Sequence, residues 1–319
     1  MKRSWSAACT TVFSLAICVH SLAGLASGQQ PGQRTFPSAE EASRAYFQAA
    51  QSDDEKALLD ILGPAGKDLV SSGDSSEDEN SRIQFVVRFL ERHRLETGQD
   101  GTARLYVGND GLRMPIPLVA KSGAWYFDTE ASKREILYRR IGRNEMSTIR
   151  VCQELVAAEK EYYSTQHNEY AQRCFSDEGQ HNGLYWKAAD GEPQSPIGPL
   201  VASAVAEGYA KRQDGAATPY RGYYYHVLTG QGKNAAGGAK SYVVNGKMTE
   251  GFAFVAYPAA YRSSGVMTFI VNEDGVVYQK DLGNKTDVLA KAMKEYNPNS
   301  GWQKAEEQQE ETAGEQKTK

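Results

Sequence analysis

The hydrophobic spacing of this chain switches between two periods, and the switching limits what it can fold into. Residues 36–91 repeat apolar side chains at helical spacing, and short strand-like runs come next, to about residue 128. Residues 129–165 return to the helical period, and from residue 222 the strand period takes over again. Helices followed by clustered strands, twice over, predict an α+β fold with antiparallel sheets rather than alternating βαβ units. With 319 residues and about 150 residues per domain as a starting expectation, two modules fit.

The first module is expected over 36–141, after a polar linker at 29–35. In "FPSAEEASRAYFQAAQ", Ser38 and Glu41 have capping-box spacing, and Ala42, Ala45, Tyr46 and Ala49 form the apolar face. "SDDEKALLDILGP" predicts a second helix, capped by Ser52 or Asp53 and stopped at Gly63-Pro64. A third helix carries the stripe Ile83, Val86, Val87 and Leu90. "ARLYVG", "MPIPLVA" and "AWYFDT" then predict strands joined by "NDG" and "KSG" turns. This pattern resembles the cone of nuclear transport factor 2-like domains, a likeness of fold that implies no function.

The second module is expected over 142–302. The helical stretch from residue 129 is predicted to break at Gly142, with Asn144 capping a new helix after the break. Another helix is expected over Ile197 to Lys211. The strands "GYYYHVLT", "SYVVNG", "GFAFVAYP", "GVMTFIVN" and "GVVYQKDL" form a meander, the last two joined by the "NEDG" turn. Residues 303–319 are rich in Glu, Gln and Lys and predict a disordered tail.

Export is read from the start of the chain. Lys2 and Arg3 precede an apolar run, and small residues come after it in "GLASGQQ", the pattern of a signal peptide over 1–28 cut after Ala26 or Gly28. A spanning anchor is the alternative, but no charged flank succeeds the run. Lipidation at Cys18 is another, with bulky Ile17 where a small residue is expected. The chain is thus expected in the periplasm or outside the cell, touching membrane only through an uncleaved leader. Cys152 and Cys174 are the cysteines beyond the leader, and an oxidising compartment makes them disulfide candidates, with two buried thiols as the alternative.

The loop "TGQGKNAAGGAKS", Thr229 to Ser241, has the glycine content of a phosphate cradle. Gly238 and Ala239 stand where a P-loop needs Lys and Ser or Thr, and a strand comes next instead of a helix. It therefore reads as a mobile hairpin connection, and no cofactor is predicted. Alternation puts Tyr224 and His226 on one sheet face beside that loop. Tyr224, His226, Lys233, Asn234 and Lys240 are accordingly the candidate contacts for a ligand or partner. The net charge of −4 shows no basic stripe, so nucleic acid is not an expected partner. His93, His167, His181 and His226 lack metal-ligand spacing, and there is no G-x-S-x-G elbow. No catalytic or metal residue is assigned.

"RRIGRNEMSTIRVC", "GLYWKAADGEPQSPIGPLVA", the stretch from "GYYYHVLT" to "YPAAY" and "SGVMTFIVNEDGVVYQKDLG" resemble the bacterial family called domain of unknown function 2950, over about Phe36 to Trp302. The resemblance implies exported bacterial proteins and no activity. The second half also resembles soluble heads of pilins and pseudopilins, although its helix over 144–165 carries Glu154, Glu159, Lys160 and Glu161 and cannot form a membrane-buried spine. Three functions are expected from these readings. The first is a non-catalytic envelope module that binds a protein or small ligand. The second is a hydrolase using His93, Tyr106 and Asp128, and the third an accessory component of a secretion or pilus-like system.

Overall fold

A computed structural model describes residues 29–188, 194–206 and 218–305. The expected leader, the end of the helix toward Lys211 and the tail from residue 306 lie outside the described residues. Helices α1 (Ala39–Gln51), α2 (Glu55–Leu62), α3 (Lys67–Val70) and α4 (Ser75–Glu91) come first. Strands β1 (His93–Thr97), β2 (Thr102–Val107), β3 (Leu112–Arg113), β4 (Leu118–Lys121) and β5 (Ala124–Phe127) follow. Then come α5 (Thr129–Tyr162), α6 (Gly198–Ala206), β6 (Tyr223–Leu228), β7 (Gly230–Gln231), β8 (Lys240–Ser241), β9 (Val243–Val244) and β10 (Lys247–Met248). The described residues end with β11 (Ala253–Pro258), β12 (Met267–Asn272), β13 (Tyr278–Asp281), α7 (Thr286–Ala292), β14 (Glu295–Tyr296) and β15 (Gln303–Lys304). The fold is α+β.

The expected cap of α1 forms: Ser38 Oγ accepts from Glu41 N at 3.1 Å. Helix α2 is capped one residue later than expected, by Asp54, whose Oδ1 accepts from Ala57 N at 2.9 Å. The α4 stripe is displaced. Phe85 and Phe89 face inward, while Ile83, Val87 and Leu90 are 48, 46 and 66% exposed. The larger rings win the inward positions because they bury more apolar area. Phe85 meets Tyr46 edge-on and Phe89 stacks on Phe47.

The first sheet is antiparallel in the order β1-β2-β4-β5, with β3 added to β2. Its β4–β5 connection places Ser122 and Gly123 at φ 53° and 81°, as a two-residue type I′ hairpin requires. Helices α1, α2 and α4 cover it around a core containing Ala42, Ile61, Leu62, Leu105 and Leu118. The segment expected as a linker is docked on this core. Gln33 is buried, and its Nε2 donates to Ile61 O at 3.0 Å and Phe127 O at 2.8 Å.

The second large sheet has the order β15-β13-β12-β11-β6, with every named pairing antiparallel. The expected hairpin joins β12 and β13, and Gly275 N donates to Asn272 O at 2.9 Å. Phe254, Val255, Phe269 and Ile270 are fully buried, in one core with Cys152 and Leu155 of α5. Gln303–Lys304, expected as tail, pairs with β13 at one edge of this sheet.

Helix α5 does not break at Gly142. It runs through that residue for 34 residues, or about 50 Å at 1.5 Å per residue. The expected division at residue 142 therefore falls inside a helix. Asn144 does not cap; it is buried, and its Nδ2 donates to Ser264 O at 3.0 Å. No helix of the described residues is long and apolar enough to cross a membrane.

Candidate functional site

Helix α5 borders both cores, and a cleft runs along its middle. The cleft holds about 760 Å³. One wall is α4, contributing Glu77, Gln84, Phe85 and Arg88. The facing apolar floor is Val107, Leu112 and Met114, and α5 supplies Arg143, Asn144 and Ser147. Arg221 closes the end, from the turn ahead of β6. A smaller hollow of about 330 Å³ shares Ser147 and Arg221 with it and adds Arg150 and Glu154.

The polar framework of the cleft is anchored by Asp74, which is fully buried. Its Oδ1 caps α4 by accepting from Glu77 N at 3.1 Å, and its Oδ2 accepts from Gly222 N at 2.8 Å. One side chain thus ties the first residues of α4 to the turn carrying Arg221. Gly222 has φ 78°, and a Cβ there would lie 2.6 Å from Asn144 Nδ2. This is a position only glycine occupies without strain. Glu77 pairs with Arg143 at 3.1 Å. Arg88 grips both oxygens of Asp110 at 2.8 and 2.7 Å. Arg221 lies over the Tyr220 ring and donates to Ser147 Oγ at 3.4 Å.

Three guanidinium groups therefore border an apolar-floored cleft in which Glu77 is the lone carboxylate among the described lining residues. Among the described residues neither His nor Cys lines it. Its arrangement suits recognition of an anionic group beside an apolar one.

The sequence-predicted contacts lie elsewhere. Tyr224 and His226 share a face of β6 around Tyr257, with ring centroids 5.5 and 6.0 Å from it. His226 Nε2 lies 3.3 Å from Met293 O, and burial holds its imidazole below the usual pKa. Lys233, Asn234 and Lys240 belong to the glycine loop, which is knitted together where a mobile connection was expected. Gln231 Nε2 donates to Ala236 O at 2.7 Å and Gly238 O at 2.6 Å, and Asn234 N and Nδ2 both donate to Asn297 Oδ1. Lys240 sits over the Tyr242 ring. The hydrolase candidates are dispersed. His93 stacks on Phe89, Tyr106 lies under the Arg94 guanidinium, and Asp128 caps α5 beyond the far edge strand β5.

The expected disulfide is not formed: Cys152 and Cys174 are free thiols. Cys152 faces the sheet from α5, whereas Cys174 lies in the field of Glu159. Burial pushes both thiols up to about 12. Glu159 is itself wholly buried. Its Oε2 accepts from Ala171 N at 2.9 Å, and Oε1 has no partner. Burial raises its carboxyl to about 8.

The sequence signature of a family described as "Protein of unknown function (DUF2950)" matches residues 33–305. The chain belongs to the DUF2950 family. No curated protein and no solved structure matches it, so the likenesses to transport-factor cones and pilin heads rest on sequence alone. Among the described residues no group of three His, Cys, Asp or Glu is placed to hold a metal ion. The family description assigns no site, and the arginine cleft was not among the contacts drawn from sequence. Its signal was present as Arg143, Ser147 and Arg150, spaced i, i+4 and i+7 on one helical face.

Proposed function

We propose that this DUF2950 protein is an exported, non-catalytic binding module that holds a small anionic ligand with an apolar portion in the arginine cleft. The observation that carries this reading is the convergence of Arg88, Arg143 and Arg221 on a floor of Val107, Leu112 and Met114. Guanidinium groups offer planar, paired donors to a carboxylate or phosphate, and the floor accepts the remainder of the molecule. Export rests on the Lys2-Arg3 leader, with cleavage near Ala26 or Gly28.

The test is native mass spectrometry of the full protein as released by an expressing cell, with added phenyl phosphate, octanoate or the neutral control benzyl alcohol. The two anions should add one stoichiometric mass each, and benzyl alcohol none. Equal uptake of all three, or of none, would overturn the reading. The released chain should begin close to residue 27 or 29; an intact leader on it would remove the export claim.

A further inference from the structure

Strand β6 ends its sheet: β11 pairs along one side of it, and among the described residues no strand pairs along the other. Which backbone groups face the open side is fixed by its neighbours. Tyr223 N and O bond to Tyr220 at 3.1 and 2.8 Å, outside the sheet, opposite Pro258, which has no N–H to give. Antiparallel pairing alternates, so Tyr225 and Val227 also turn their N–H and C=O groups outward. Among the described residues no backbone bond is made to either outward pair. These two residues leave two donors and two acceptors in line along a half-buried strand, a template for another strand.

The space beside this edge has walls. A groove of about 650 Å³ runs along Tyr225–Val227, between the segment Gln172–Phe175 and the end of α7 with Lys291 and Lys294. Its charges are of one sign. Arg173, Lys291 and Lys294 line it together with His226, and among the described residues no carboxylate does. Arg173 and Lys291 pair outward with the exposed Asp177 and Asp287, and such pairs give way at little cost. Lys294 has no ion pair among the described residues. Phe175, 53% exposed, offers an apolar contact at the rim.

We infer that the open edge of β6 accepts an extended, acidic peptide segment of a partner protein by strand addition. Main-chain bonds to Tyr225 and Val227 would hold it, and the alternate side chains facing Lys291 and Lys294 would be acidic. This occupant is a macromolecule and its site is separate from the arginine cleft, so either proposal can fail alone.

The test is amide hydrogen exchange of the full protein, free and with ten-residue peptides carrying Glu at alternate positions and Val or Tyr between. Matched peptides with Lys for Glu are the control. In the free protein the Tyr225 and Val227 amides should exchange freely. At least one Glu peptide should slow them tenfold or more, and no Lys peptide should. Lys291→Glu with Lys294→Glu should abolish the slowing without changing exchange in β11 and β12. Edge amides already protected in dilute free protein, protection by both peptide series, or protection by neither would each overturn the inference. So would protection that grows with protein concentration alone, which would mark the edge as a contact between two copies of this chain.

Discussion

Two stretches of α5 bury polar groups and treat them in opposite ways. Near the middle of the helix, Asn144 meets a closed network in which Asp74, Gly222 and Ser264 all have partners. Four turns further on, Glu159 enters the second core with one oxygen bonded and the other bare. A satisfied buried network fixes geometry at small net cost, whereas an orphaned carboxyl oxygen keeps its desolvation penalty and answers it by holding a proton. The first stretch is therefore the rigid hinge of the cleft, and the second is a pH-dependent weak point.

The largest expected effect concerns Glu159. Its unfolded carboxyl titrates near 4.5 and the folded one near 8, so between those values the folded state binds the extra proton. Stability should fall as pH rises through that window, by on the order of 4 kcal/mol. Burial also raises Asp78 and lowers His226, so both add their own slopes. The comparison of wild type with Glu159→Gln isolates the one that matters. Urea melts at pH 5 and pH 8 should show the variant losing much less than wild type; equal losses would mean that Glu159 is ionised where it lies.

On the satisfied side, Gly222→Ala forces a Cβ toward Asn144 at φ 78° and should cost about 3 kcal/mol. Asp74→Ala removes a helix cap and leaves Gly222 N buried, for about 2–3 kcal/mol. The double variant should cost less than the two added together, because they disrupt one network; strict additivity would show that the two sites are independent. Cys174→Ser should cost under about 1 kcal/mol, since no bridge is lost, against the roughly 2–5 kcal/mol that removing a native disulfide costs. Smallest of all, Ile83→Ser and Leu90→Ser on the exposed face of α4 should each stay within about 0.5 kcal/mol.

Local signals in the sequence carried much of the fold. The Ser38 cap, the "NEDG" turn and the apolar run "GFAFVAYP" lead directly to α1, the β12–β13 hairpin and β11. Strand β1, "HRLET", shows no alternation because both its faces are largely exposed. Gly142 read as a breaker because propensity is local, whereas α5 is held by contacts along its length, such as Glu145 Oε1 accepting from Val266 N and Met267 N. Glu159 stands beside Lys160 and Glu161 in a charged stretch, and its burial depends on the chain folding back to Ala171. The cleft was the least legible part. Arg88, Arg143 and Arg221 are far apart in sequence and meet through Asp74 and Gly222, 148 positions apart.

The arginine cleft is tested most directly by calorimetric titration of phenyl phosphate into three forms of the full protein. These are wild type, Arg143→Glu with Arg221→Glu, and Lys291→Glu with Lys294→Glu. The cleft variant should bind at least tenfold more weakly than wild type, and the groove variant within twofold of it. Equal weakening in both variants, or undiminished binding in the cleft variant, would contradict the assignment of the anion to Arg143 and Arg221.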